Sequence, residues 1–479
     1  MALADCEYTD FLANFVSSFY KVMELPSDFV SMLSRIMSGE CAAGLSEALS
    51  GTPSSVSIRL NCRKGAGLPD VLESLDCRRD GAVPWASDAW YLDRRPSFIG
   101  DPMLHQGLYY VQEASSMFME QAVRRCVDGP VRFLDLCAAP GGKSTLIASL
   151  LPEGSILVSN EIQRGRANIL AENMVKWGRP GVMVTCDTPQ HIGRSGLLFD
   201  VIAVDAPCSG EGMFRKEPQA VADWSMETVR MCAERQRNIL SDVWNALKPG
   251  GFLIYSTCTF NLAENEENVH WIIDSLGAEP VPIDIDPSWN VTGALDGTGV
   301  PVYRFMQHRT KGEGFFMALL RKCGTWQKTD RTGKSSGNQE VRLPESEQWV
   351  LDADSFRFFK EGGSIYALPS LQADDMLRIG HLLYPIVRGT EVAVLKGRDL
   401  VPAHALAMSG LLRTGSFCKV EVSRQEAISY LRCEALHIAD APKGILLLTY
   451  MGRPLGFVKN IGNRANNMYP SDWRIRISL

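Results

Sequence analysis

The 479-residue sequence predicts an α/β protein, built on a doubly wound and mostly parallel sheet with further units on either side. Three observations carry that prediction. From residue 131 to residue 258, short apolar runs bounded by turn residues alternate with amphipathic helical stretches. Acids and cysteines recur just beyond those runs, at the edge where open α/β sheets gather their ligands. The chain also exceeds what one hydrophobic core supports, so two or three domains are expected.

The composition sets bounds. Apolar residues make up 45% and charged residues 22%, ordinary values for a globular chain. No apolar run approaches the roughly 20 residues that span a bilayer, so no membrane association is expected. The acidic start, Met1 to Asp10, lacks the basic region of a signal peptide. Thirteen cysteines without framework spacing fit a reduced, cytoplasmic protein, and the absence of Cys-x-x-Cys pairs predicts no bound metal. With a net charge of -6, any nucleic-acid contact must rest on local patches.

In chain order, Phe11, Leu12, Phe15, Val16, Phe19 and Tyr20 recur at helical spacing, and Ile36 and Met37 continue the apolar content. Ser57 to Lys64 alternates as a half-buried strand, with Arg59, Arg63 and Lys64 forming either a solvated face or an RNA-contact edge. Tyr109 to Met117 leads into a helix towards Val123. Strands follow at Val131–Leu136, Ser155–Ser159, Val182–Thr185, Asp200–Asp205 and Gly251–Tyr255, with helices between them. The longest helix is expected to start at an N-cap Ser225. A hairpin of Val302–Met306 and Phe315–Leu320 closes this domain. A polar stretch follows, and short strand-like runs then recur to the end.

The loop after the first of these strands, Asp135 to Thr145, is rich in glycine and opens a helix, a geometry that admits a ligand to the backbone. Gly-x-Gly-x-x-Gly, the nicotinamide-cofactor pattern, is absent. A phosphate-binding P-loop is a near miss, because Cys137 stands where the first glycine belongs. S-adenosylmethionine fits better. Glu161, after the second strand, is placed for the ribose hydroxyls, and Asp187, after the third, for the adenine amino group. Asp135, Glu161, Asp187 and Asp205 together suit a cation and would repel a triphosphate.

Cys208, in Asp205-Ala-Pro-Cys-Ser-Gly210, and Cys258, in Ser256-Thr-Cys-Thr259, end neighbouring strands. Carbon 5 of a pyrimidine is a poor nucleophile until a thiolate adds at carbon 6. An acid near ring nitrogen 3 assists that addition, and Asp205 is placed for it. Spacing alone does not say which cysteine attacks.

At Asp135–Lys143, Asn160-Glu161, Asp205–Gly212, Ser256–Thr259 and Asn261–Glu267 the sequence resembles the Sun-type RNA (cytosine-5) methyltransferases, over roughly residues 1–322. The resemblance implies a Rossmann-like methyltransferase domain in which Cys258 attacks, Cys208 assists product release and Lys143 lies near the base. It implies cofactor contacts from Cys137, Ala138, Ala139, Pro140, Gly141, Gly142, Lys143, Glu161, Asp187 and Asp205. Arg166 matches a basic position in the second helix and is assigned to RNA. Gly452 to Pro470 is similar to the PUA-like C-terminal extension of a bacterial 16S rRNA methyltransferase. Residues 452–479 carry five basic residues against one acidic, a local charge of +4, with Lys459, Arg464 and a stacking Tyr469 as candidate RNA contacts.

The expected organisation is an N-terminal helical and RNA-contact segment (1–105), a methyltransferase domain (106–322), a polar linker (323–345), a small middle module (346–390) and a PUA-like module (391–479). The expected activity is methylation of cytosine C5 in RNA, with rRNA or the small ribosomal subunit as partner and a monomeric enzyme. The competing readings are a P-loop RNA-dependent NTPase and a non-catalytic rRNA-binding assembly factor.

Overall fold

The computed structural model describes residues 24–65, 67–325, 339–342, 347–438 and 440–476. The helical spacing at Phe11 to Tyr20 and most of the polar linker fall outside those residues. Two helices open the described chain, Ser27–Ile36 and Gly39–Gly51. An antiparallel sheet follows, of β1 (Val56–Leu60), β2 (Arg79–Ala82), β3 (Ala89–Leu92) and β4 (Tyr109–Val111), in the order β2-β3-β1-β4. β4 lies beyond the expected boundary at residue 105.

The strand itself is not a solvated face, although Arg63 just beyond it is exposed. β1 sits between β3 and β4, and Ser57 to Leu60 are all buried. Arg59 is 2% exposed: its Nε donates to Gln112 Oε1 (3.0 Å) and its Nη2 to Thr145 Oγ1 (2.6 Å), over the Trp177 ring. The chain then turns into a 3₁₀ helix at Cys62–Lys64, where Lys64 Nζ donates to the carbonyls of Gln106 (2.6 Å) and Lys176 (2.5 Å). The alternation that reads as amphipathic comes from buried polar side chains whose partners lie on other elements.

The central sheet holds β5 (Arg132–Asp135), β6 (Ile156–Asn160), β7 (Val182–Thr185), β8 (Phe199–Asp205) and β9 (Leu247–Thr257) in parallel, ordered β9-β8-β5-β6-β7. Beyond β9 lie the antiparallel β12 (Phe315–Lys322), flanked by β10 (Ala278–Pro280), and β11 (Val302–Phe305), which completes the expected hairpin. Alternate residues of each parallel strand enter different cores. Phe133, Leu157, Val184 and Ala203 meet Leu146, Ile147 and Leu170 on one face. Leu134, Val158, Met183 and Ile202 meet Leu240, Val243 and Ile272 on the other. Ser225 caps the long helix Met226–Val243 through the Thr228 N–H (3.1 Å), as its position predicts.

The C-terminal elements cross the expected boundaries. β13 (Gln339–Glu340), β14 (Phe356–Glu361), β15 (Ser364–Pro369), β17 (Thr390–Lys396) and β18 (Asp399–Pro402) form one sheet, so a division at residue 390 cuts through it. Between them, β16 (Pro385–Arg388) pairs antiparallel with β7 and extends the central sheet. A strand that leaves its neighbours in sequence for another sheet carries no local signal of doing so. β19 (Cys418–Glu421), β20 (Gly444–Tyr450), β21 (Arg453–Asn460) and β22 (Ala465–Asn467) make the last sheet, which shares a core with β1 and β4. Among the described residues, no helix is long and apolar enough to cross a membrane.

Candidate active site

The carboxyl ends of β5, β6, β7, β8 and β9 bring the expected residues to one rim. At β5, Asp135 Oδ2 accepts from Ser144 Oγ (2.6 Å), which ties the strand to the helix Gly142–Leu150. Its Oδ1 is buried without a hydrogen-bond partner, and burial raises the carboxyl pKa to about 7. Gly141, at φ +118°, makes the turn, and a Cβ on Gly142 would meet Tyr110 at 3.4 Å. Cys137 to Gly142 form the backbone turn that opens the helix at the rim. Asn160, not singled out from the sequence for any role, joins three strand ends. Its Nδ2 donates to the Leu136 and Asp187 carbonyls (3.1 and 3.0 Å), and its Oδ1 accepts from the Asp187 N–H (2.9 Å).

Glu161 is buried, with Oε1 accepting from the Gln163 N–H (2.9 Å) and Oε2 3.3 Å from Arg166 Nη1. Arg166 Nη2 also donates to the Ala139 carbonyl (2.9 Å). The basic side chain assigned to RNA is thus turned onto the Cys137–Gly142 loop and the Glu161 carboxylate, because Arg166 lies in the first turn of the helix that follows Glu161. Asp187 is buried at the end of β7, where Oδ1 lies 2.5 Å from His191 Nδ1 and Oδ2 accepts from the Tyr384 N–H (2.8 Å).

Lys143 Nζ donates to Asp205 Oδ2 (2.7 Å), and Ser256 Oγ donates to Asp205 Oδ1 (2.8 Å). Burial alone would lower the lysine pKa, but the Asp205 charge and hydrogen bond outweigh it and raise the value above the ordinary one. A P-loop lysine would be turned to phosphate; this one is turned to the carboxylate beside the cysteines. Cys208 Sγ and Cys258 Sγ are 3.2 Å apart. The hydrogen bond to Cys258, followed by burial, raises the Cys208 pKa well above that of a free thiol.

Two glutamates not singled out from the sequence bind the cysteine loops together. Glu211 Oε2 accepts from the N–H groups of Phe260 (2.6 Å) and Asn261 (3.0 Å). Glu264 accepts from Ser209 N–H (3.0 Å), Ser209 Oγ (2.5 Å), Gln236 Nε2 (2.8 Å) and Asn261 Nδ2 (2.8 Å). Gly212 closes the contact by donating to the Cys258 carbonyl (2.8 Å), and a Cβ there would fall 2.9 Å from that oxygen. The only signal in the sequence was that Glu211 lies in the matched stretch Asp205–Gly212 and Glu264 in Asn261–Glu267.

In the C-terminal sheet, Lys459 and Arg464 are exposed at one hairpin end. Tyr469 is not available for stacking on RNA. It is 6% exposed and packs edge-on against His404, Tyr430 and Trp473. Arg453, counted in the basic tail, donates to Asp70 Oδ2 (2.9 Å) and the Gly65 carbonyl (2.9 Å).

An open parallel sheet with a glycine cradle after β5 and acids along its carboxyl rim defines a Rossmann-like, S-adenosylmethionine-dependent methyltransferase. The residues suit that group: the unpartnered Asp135 Oδ1 and the acidic rim match a cationic donor, and the glycines admit it to the backbone. Family models match three parts of the chain: 16S rRNA methyltransferase RsmB/F at residues 128–321, the N-terminal domain of 16S rRNA methyltransferase RsmF at 25–114, and the methyltransferase RsmF PUA domain at 417–475. Ribosomal RNA small subunit methyltransferase F of Escherichia coli is 31% identical over 417 residues, which cover 81% of this chain and 84% of that one. Its namesake from Serratia proteamaculans is 29% identical over 475 residues, covering 94% and 96%. A solved methyltransferase homologue from Pyrococcus horikoshii is 28% identical, with a TM-score of 0.51 over 62% of this chain and all of its own. NSun6 from the same organism, 18% identical with a TM-score of 0.54 over 64% of this chain and all of its own, shares the fold. The chain belongs to the 16S rRNA methyltransferase RsmB/F family and is an rRNA methyltransferase.

Proposed function

We propose that this enzyme methylates carbon 5 of cytosine in 16S rRNA, in the cytoplasm, through a covalent adduct between Cys258 and carbon 6 of the base. The observation that carries the reading is the pair of thiols 3.2 Å apart beside the Lys143–Asp205 ion pair. S-adenosylmethionine supplies an electrophilic methyl group; Cys137–Gly142 and Glu161 hold it, with Glu161 accepting from the ribose. The target cytosine must leave its stack to reach carbon 6. Cys258 gives its proton to solvent and adds to carbon 6 as the thiolate. The proton that stabilises ring nitrogen 3 belongs to the Lys143–Asp205 pair, since both Asp205 oxygens already accept hydrogen bonds. Once Cys258 is bonded to carbon, its thiol no longer hydrogen-bonds Cys208, which removes the largest cause of the raised Cys208 pKa. Cys208 then gives its proton to solvent, takes the proton from carbon 5, and elimination frees Cys258. The exposed Lys459 and Arg464 serve as outlying phosphate contacts.

Denaturing gels of single-cysteine variants incubated with 16S rRNA and S-adenosylmethionine test the roles. Cys258→Ala should give neither methylation nor adduct, and Cys208→Ala should accumulate a protein–RNA adduct. The opposite pattern would reverse the assignment, and adducts from neither variant would remove the covalent route.

A further inference from the structure

Pairing of Pro385 with Thr185 sets Tyr384 just beyond the carboxyl end of β7, on the rim that carries Glu161 and Asp187. The main chain of Tyr384 is fixed on both sides: its N–H donates to Asp187 Oδ2 (2.8 Å), and its carbonyl accepts from the Cys186 N–H (3.0 Å). The ring is nevertheless 67% exposed. It lies at 23° to the His191 imidazole, with centroids 5.1 Å apart, and Asp187 holds His191 in turn. Ile162, next to Glu161 and 56% exposed, adds apolar surface, and its carbonyl accepts from Cys186 Sγ (3.5 Å).

An exposed apolar side chain on each of two segments joined by Cys186, at the ligand edge of an α/β sheet, needs an occupant. Glu161, placed for a ribose, adjoins Ile162 in sequence, and its strand β6 lies next to β7. What adjoins a ribose is a flat heterocycle, and a pre-ordered aromatic ring suits one. We infer that Tyr384, with Ile162, walls the adenine ring of the methyl donor. The adenosyl pocket is then complete only when β16, from the C-terminal part of the chain, is docked on β7. This rests on Glu161 being the ribose-binding residue.

The test is calorimetric titration of the full-length protein with S-adenosylhomocysteine, without RNA. Tyr384→Ala should weaken the Kd about tenfold, the worth of one aromatic stack. Tyr384→Phe should retain wild-type affinity, and neither should shift the melting temperature of the free protein. In turnover, Tyr384→Ala should raise the KM for S-adenosylmethionine and leave kcat unchanged. Glu161→Ala separates the two readings. If it binds as wild type does, the pocket itself is misassigned and the inference falls with it. If Glu161→Ala loses affinity while Tyr384→Ala keeps it, or while Tyr384→Ala weakens only RNA binding, the wall alone is refuted. Equal losses in the Phe and Ala variants would also refute it.

Discussion

At the scale of single residues, the cysteines are held by acids that do not touch the base. Glu264 takes three hydrogen bonds from the two cysteine loops and one from Gln236 of the long helix, yet burial, followed by repulsion from Glu211, raises its pKa to about 7. A carboxyl whose folded pKa is raised contributes stability that is full below its unfolded value near 4.5 and is lost as pH rises through 7. Glu264→Gln should therefore be less stable than wild type in acid, and the gap should narrow by about 3 kcal/mol between pH 4.5 and 7. Denaturant melts across that range measure it, and a constant gap would show that Glu264 titrates in the folded protein as it does in the unfolded chain. The cysteines, Asp205 and Lys143 were legible because each stands in a motif at a strand end, where chemistry constrains residue type. Glu211 and Glu264 were not, because an acid in a loop reads equally well as a cap. Tyr469 misled for a related reason: residue type sets what a side chain offers, and packing sets what it meets.

At the scale of elements, the parallel strands and their helices were legible because an apolar run buried on both faces leaves a pattern in its own residues. Pairing between distant segments leaves none, which is why β1 read as a surface edge and β16 as part of a separate module. β1 supports the cofactor cradle through Arg59, whose Nη2 reaches Thr145 Oγ1 and, at 3.3 Å, the Gly142 carbonyl. Burial lowers the Arg59 pKa to about 9, still leaving it charged at neutral pH. Arg59→Met keeps an unbranched side chain in the strand but removes the guanidinium that lies over Trp177, with its charged donors. Hydrogen bonds of this kind contribute about 1.5–3 kcal/mol each, so a loss of roughly 3 kcal/mol is expected. Affinity for S-adenosylhomocysteine should fall as well, because the first turn of the helix after Gly141 loses its brace. Unchanged affinity in a destabilised variant would confine Arg59 to folding.

At the scale of the whole molecule, the N-terminal sheet, the helix Arg164–Trp177 and the last sheet close around a buried polar seam. Gln106 Nε2 donates to the Tyr450 and Arg453 carbonyls (3.1 and 2.8 Å), and Ile58, Leu60 and Tyr109 share a core with Tyr430, Leu446 and Val458. The basic tail therefore serves two ends: Arg453 anchors the last sheet to the first, while Lys459 and Arg464 stay outside. Within the seam, His404 lies against Tyr469 and Trp473 with both ring nitrogens unpartnered. Burial, followed by the charges of Lys176, Lys64 and His105, lowers its pKa to about 3. Burial and Lys176 likewise lower His105, whose Nδ1 faces Lys176 Nζ at 3.2 Å, to about 3. A histidine with a depressed folded pKa binds its proton more readily when unfolded. Stability is therefore full above pH 6.5 and falls as pH drops towards 3. Each histidine should contribute roughly 3–5 kcal/mol to that fall. His404→Phe keeps an aromatic ring in the seam and removes the titrating group. The variant should lose less stability than wild type between pH 6.5 and 4, with His105 accounting for part of what slope remains. Denaturant melts at closely spaced pH values measure this. Parallel wild-type and variant curves would mean that His404 meets water in the folded protein and that the seam opens before the sheets do.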